Sequence, residues 1–194
     1  YFDIMRTEVM AGQYLDLVSQ ASGRSSQEQA MRVVRYKSAK YTIERPLHIG
    51  GTLTGAPREL LAAYSDFGLP LGEAFQLRDD VLGVFGDPGV TGKPAGDDLR
   101  EGKRTVLVAK TLDAAAPEQA ERFRRCFGNP ELDADGVADL REIIVATGAL
   151  AAVERLIAEL AETAHAALAE APLADEVARD ALTQLAYAST QRSG

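Results

Sequence analysis

Residues 75–87 read FQLRDDVLGVFGD, and their spacing decides the fold class. Gly72, Gln76, Asp79 and Gly83 recur at steps of four and three, so on a helix they share one face. Leu77, Val81, Val84 and Phe85 form an apolar stripe that points elsewhere. The helical pattern reaches back to Pro57, which suits a first turn, through Leu60, Leu61, Tyr64 and Phe67. Gly68 and Pro70 predict a bend on the way. A carboxylate and an amide on a face otherwise lined by glycine can hold a hard cation that a substrate phosphate completes. The same residues also suit a solvated acidic face whose glycines serve packing, and the pattern alone leaves both readings open.

The segment that follows is different in kind. Residues 86–104, GDPGVTGKPAGDDLREGKR, are rich in Gly, Pro, Asp and Lys and read as a loop. Lys93 lies fourteen residues beyond Asp79, and Lys103 and Arg104 close the segment. Gly86, Gly89, Gly92, Gly96 and Gly102 would let its backbone fold closely over an anion. A metal-binding carboxylate followed by a glycine-rich lysine loop is the chemistry of a diphosphate site: magnesium bridges phosphate oxygens and lysines neutralise the remaining charge. GDPGVTGK is not a nucleotide-binding P-loop. Gly86 to Gly92 is one residue too long, Pro94 stands where Ser or Thr should meet the metal, and no strand pattern precedes it.

Working outward, the rest of the chain is helical in pattern. Phe2, Met5, Val9, Tyr14, Leu15 and Val18 make a stripe over residues 1–22, which Gly23 closes. Ser25 and Glu28 predict a capping box for the next helix, which carries Met31, Val34 and Tyr36; that helix, or a second one after a break, runs to Arg45, where Pro46 interrupts. Lys37, Tyr41 and Glu44 would share a face there, with Ser38 beside Lys37. Gln13 and Asp16 read as exposed polar residues, and His48 and His165 as structural, since neither has a second ligand at useful spacing. Further helices are expected over 105–116, 117–127, 136–148, 149–170 and 173–190. Nothing alternates with period two, so the fold class is all-α.

The 194 residues carry a formal charge of −8, which argues against a nucleic-acid partner. No apolar run is long enough to span a membrane. Cys126 is the single cysteine, which excludes an internal disulfide and suits a reducing, cytoplasmic setting.

Together these segments resemble the trans-isoprenyl diphosphate synthase (polyprenyl synthetase) family. FQLRDDVLGVFGD is similar to its second aspartate-rich motif, and TGKPAGDDLREGKRT at 91–105 to its lysine loop. YKSAKYT at 36–42 resembles the family's Lys-Thr segment, with Ser38 in place of threonine, and AGQYLDL at 11–17 its Gly-Gln-x-x-Asp-Leu helix. The resemblance implies an isoprenoid-synthase-type helical bundle around a central cavity, working as a homodimer. It implies a prenyltransferase that joins isopentenyl diphosphate to an allylic diphosphate, making a short-chain, geranylgeranyl-like product. Asp79 and Asp80 would hold Mg2+, and Lys37, Lys93 and Lys103 would contact the allylic diphosphate. Gln76 and Ser38 would lie near the reacting carbons or the leaving group, with Asp79, Lys37 and Gln76 as the catalytic set.

Two departures stand out. The family motif reads Asp-Asp-x-x-Asp, and its last position here is Gly83. No first aspartate-rich motif occurs, and the chain opens on Tyr1 inside a helical pattern. In the family the first motif and the isopentenyl-diphosphate site lie upstream of the matched residues. The expectation is therefore that residues 1–194 are the C-terminal portion of a single polyprenyl synthetase domain, without its N-terminal helices and inactive alone. The alternative is a non-catalytic regulatory or assembly subunit of a heteromeric synthase, which would need no first motif.

Overall fold

The computed structural model describes residues 1–23, 26–92 and 96–190, without the side chains of Val90 and Thr91. Helices make up all the regular structure among these residues, as the periodicity predicts. Helix α1 (Phe2–Ser22) ends at Gly23, whose φ of 65° lets the chain turn where a Cβ would be strained. Helix α2 (Gln27–Val33) passes directly into a π-helical segment (Val34–Glu44), which passes into α3 (Arg45–Leu53). The long α4 (Arg58–Phe85) follows, 28 residues or about 42 Å of helix. Then come α5 (Pro88–Thr91), α6 (Asp97–Glu101), α7 (Val106–Ala114) and α8 (Pro117–Cys126). Helices α9 (Ala134–Ala146), α10 (Ala149–Glu170) and α11 (Glu176–Thr190) complete the chain.

Three local expectations change. Pro46 does not break a helix: it sits in the first turn of α3, where its missing N–H costs nothing, and the ladder changes there from π to α. The Arg45 amide still bonds the carbonyl five residues back, at Lys40. The capping box lies one residue later than expected. Ser26 and Gln29 bond reciprocally, Gln29 N–H to Ser26 Oγ at 3.2 Å and Ser26 N–H to Gln29 Oε1 at 3.0 Å, while Ser25 lies outside the described residues. The described residues of 86–104 also hold two short helices where a loop was expected, because Asp87 caps α5 by accepting from the Gly89 amide at 2.7 Å and α6 follows Gly96.

The chain gathers into two compact units. One comprises Tyr1–Leu15, Met31–Gln76 and residues 156–190. Its core joins Phe67 and Leu71 of α4 to Ala164 and Leu168 of α10 and Ala186 of α11. Full burial of Phe67 or Leu71 stabilises by about 1.5–3 kcal/mol each. The π segment runs antiparallel to α4 at very short range. A Cβ at Gly72 would stand 2.6 Å from Ala39 Cα, and one at Gly68 3.1 Å from Glu44 Cα. On its other side α1 comes equally close, since a Cβ at Gly12 would stand 2.6 Å from the Tyr36 carbonyl carbon. Gly72 therefore gives the two helices close contact.

The other unit comprises Asp16–Ala30 and Leu77–Arg155. Helices α7 and α8 pack on α9, and Leu107, Phe123, Leu140 and Ile144 are fully buried. Leu77, Val81 and Val84, the apolar stripe read from the sequence, are buried as well. Arg141 donates Nε–H to the Val84 carbonyl at 2.7 Å, placing a cation at the C-terminal end of α4 where the helix dipole favours it.

Candidate functional site

Helix α4 presents its two motif carboxylates differently. Asp80 follows Leu77 by three residues and precedes Val84 by four, so it falls on the buried stripe and is only 6% exposed. Asp79, one residue away, faces solvent. Arg78 anchors this turn through a two-pronged ion pair with Glu154 at 2.6 and 2.7 Å.

The end of the glycine-rich segment closes on the same turn of α4. Lys103 donates to Asp98 Oδ1 at 2.8 Å. Burial opposes the charge on Lys103, but the bond to Asp98 and the charges of Asp98, Asp80 and Glu101 outweigh it, so the ammonium holds its proton more firmly than a free lysine does. Asp98 is itself 3% exposed, and its Oδ2 has no hydrogen-bond partner among the described residues. Its carboxyl lies over Gly83, where a Cβ would come within 2.5 Å of Asp98 Cγ. Gly102, at φ 71°, packs against Gly128. That glycine serves a backbone crossing. Lys93 lies outside the described residues.

In the other unit Ser38 of the π segment donates its hydroxyl proton to Gln76 Oε1 of α4. Arg35 bonds Glu73 at 2.6 Å one turn earlier. The two residues read from sequence as sharing a locality, Ser38 and Gln76, are thus brought together, with Lys37 next in the chain and half-buried. The expected common face of Lys37, Tyr41 and Glu44 does not form. The wider π turn leaves Tyr41 half exposed and carries Glu44 inward, to 4% exposure.

Glu44 belongs to a buried ionic network that the sequence did not reveal. Glu8 of α1 takes both prongs of Arg45 at 2.6 and 2.7 Å and pairs with Lys40 at 3.1 Å. Lys40 also bonds Glu44 at 3.0 Å, and Ser65 donates to Glu44 at 2.8 Å. His48 closes the set: its Nε2 meets the Leu61 carbonyl at 2.9 Å, and its Nδ1 meets Arg45 Nη1 at 3.0 Å. Since a carbonyl only accepts and a guanidinium only donates, the partners assign a neutral ring protonated at Nε2. Tyr1 stacks on it at 4.7 Å, while His165 lies against Tyr187 at 4.5 Å. His48 is thus held by the network, as a structural histidine would be.

The family model described as polyprenyl synthetase matches residues 1–144. The chain belongs to the polyprenyl synthetase family. Among its relatives, the geranylgeranyl diphosphate synthase of Saccharolobus solfataricus is 30% identical over 184 residues, covering 95% of this chain and 55% of that protein. The octaprenyl diphosphate synthase of Escherichia coli is 34% identical over 186 residues, covering 95% and 56%. A crystal structure of the Corynebacterium glutamicum geranylgeranyl pyrophosphate synthase, complexed with isoprenyl diphosphate and magnesium, superposes with a TM-score of 0.93 at 47% identity. It covers 97% of this chain and 53% of that one. This polyprenyl synthetase chain spans about half the length of the curated relatives it matches.

Among the described residues of this polyprenyl synthetase, no three His, Cys, Asp or Glu side chains converge closely enough to hold a metal by themselves. Magnesium is usually bound through one or two carboxylates, with substrate phosphates and water completing its shell. The exposed Asp79 and the unsatisfied oxygen of Asp98 are donors of the right kind. Asp98 was missed from sequence. Its signal was its place five residues before Lys103, a spacing that means nothing until α6 turns the two toward each other.

Proposed function

We propose that this chain is the C-terminal portion, residues 1–194, of a single polyprenyl synthetase domain. The protein carrying it condenses isopentenyl diphosphate with an allylic diphosphate to give a short-chain, all-trans, geranylgeranyl-like diphosphate. One observation carries the reading: α6 closes on the motif turn of α4, with the Asp98 carboxyl over Gly83 and Lys103 donating to Asp98 Oδ1 at 2.8 Å. Cations beside carboxylates are what a metal-bound diphosphate requires.

In this reading Asp79 and Asp80 would hold Mg2+, which when bound would supply positive charge for the leaving diphosphate. Lys37, Lys93 and Lys103 bind the departing diphosphate and neutralise the charge that metal leaves over. Ser38, held by Gln76, orients its hydroxyl beside Lys37, and the amide of Gln76 stays fixed near the allylic carbons. The allylic carbon–oxygen bond breaks with its electron pair going to the diphosphate. The isopentenyl double bond supplies the electrons of the new carbon–carbon bond, and the released diphosphate takes the proton then lost. Water must be kept from the allylic cation, which is a task for apolar walls. We place the protein in the cytoplasm as a homodimer. The single cysteine supports a reducing setting, and no described helix is long and apolar enough to cross a membrane.

The test is Asp79→Asn in the full-length protein, assayed for prenyl transfer. Removing one charge that acts as leaving-group charge develops should lower kcat by about a hundredfold or more. Near-normal turnover would refute the assignment.

A further inference from the structure

Arg35, Arg45, Arg78 and Arg122 are each matched to a carboxylate, those of Glu73, Glu8, Glu154 and Asp139. Arg104, one residue beyond Lys103, is matched to none among the described residues. Its guanidinium lies on the Phe127 ring at 5.0 Å, and its Nε is buried with no acceptor among those residues. Burial lowers its pKa and no neighbouring carboxylate raises it. A buried donor left empty is costly and calls for something to complete it.

Arg104 lines a cleft of about 240 Å³ together with Gly23, Thr105, Leu112, Asp113 and Arg124, all of them in the second compact unit. That is room for far more than one water, whose share of the liquid is about 30 Å³. Arg124, in the last turn of α8, likewise holds no carboxylate among the described residues. Thr105 is 8% exposed, and its Oγ accepts the Val108 amide, which leaves the hydroxyl proton to be donated. Asp113 is the one carboxylate among the lining residues, and Gln27 Nε2 already donates to it at 2.7 Å. Two guanidinium charges against one carboxylate make this cleft positive on a chain of net charge −8.

We propose that this cleft binds a phosphate-type oxyanion, of the class of inorganic diphosphate or a diphosphate ester. Arg104 and Arg124 offer planar forks of donors that match phosphate oxygens, and Thr105 adds a hydroxyl. Leu112 gives the cleft an apolar wall. The site needs no metal and does not depend on the metal reading of Asp79.

Calorimetry on the full-length protein in EDTA tests it, with inorganic diphosphate and isopentenyl diphosphate as probes. A metal-independent diphosphate site with a Kd of about 1 mM or tighter should appear. Arg104→Gln and Arg124→Gln should each weaken that site about tenfold. Lys103→Gln should leave it within about threefold of the parent. Isopentenyl diphosphate separates the two sources: affinity equal to that of inorganic diphosphate assigns the free anion, and tighter binding that Arg124→Gln again weakens assigns the ester. Either result supports the site. A parent that binds no diphosphate without metal overturns the proposal, as does parental affinity in either arginine variant. So does binding lost in Lys103→Gln alone, which would place the anion beside α4. If Arg104→Gln does not fold, Arg124→Gln, changed at an exposed position, decides alone.

Discussion

His48 shows how far a single side chain depends on what folds around it. Burial lowers its pKa below the ordinary 6.5, the bond to the Leu61 carbonyl and the charge of Glu44 oppose this, and Arg45 and Lys40 add to it. The neutral ring already accepts at Nδ1 from Arg45, so a second proton has no place to go. Below the unfolded value the unfolded chain binds a proton that the folded chain resists, so folding stability should fall as pH drops from about 7 toward 5. Glu8 acts lower in the range. Burial raises its pKa, but bonds and charges from Arg45 and Lys40 outweigh that and bring it below 4.5, so its contribution is present above that pH and lost beneath it. Urea denaturation at pH 7.5, 5.5 and 4 measures both steps. His48→Asn should be less stable at pH 7.5 and should flatten the first step while leaving the second. An unchanged slope between pH 7.5 and 5.5 would show that His48 titrates alike in both states.

Among the elements, the π segment and its two glycine-lined neighbours set the geometry of Ser38 and Gln76. Close approach at Gly12 and Gly72 is what allows three helices to crowd around Tyr36–Ala39. Gly72→Ala places a methyl 2.6 Å from the Ala39 backbone, which cannot move aside as a flexible side chain would. The change should cost about 1–3 kcal/mol in urea unfolding. Gly50 of α3 is the matched control: a Cβ there meets nothing within 4 Å, and its φ is not positive. Gly50→Ala should leave stability unchanged or raise it by up to about 1 kcal/mol through the unfolded chain's lost freedom. Equal responses from the two variants would mean that α4 and the π segment can separate freely.

For the molecule as a whole, the surface of α1 governs behaviour in solution. Phe2, Tyr14, Leu15 and Val18 of the stripe read from the sequence are exposed, as are Met10 and Leu17 beside it. Helix α4, by contrast, contributes no large exposed hydrophobic residue among those described. Apolar surface of that kind drives association. Residues 1–194, purified alone, should self-associate with rising concentration in sedimentation velocity, and Tyr14→Glu with Leu17→Glu should abolish this without loss of helical circular dichroism. A chain that stays monomeric at high concentration would show that the charge of −8 outweighs the stripe.

The all-α class, the extents of α1, α4, α7, α8 and α10, the buried Leu77–Val81–Val84 stripe and the outward Asp79 were determined by sequence alone. Each depends on helical periodicity within a single segment, and periodicity is a local property. The π register, the Glu8–Lys40–Glu44–Arg45–His48 network and the placing of Asp98 over Gly83 were decided by tertiary structure. Glu8 and Arg45 are 37 residues apart, and Ser38 and Gln76 are 38 apart. Nothing in either local pattern states that the partner exists. The π turn adds less than one residue per turn to an α-helix, too small a change for eleven residues of mixed polarity to announce. Gly83 read as a missing ligand because a sequence records only which side chain a position lacks. Which distant side chain comes to fill that space is settled when α6 folds back onto α4.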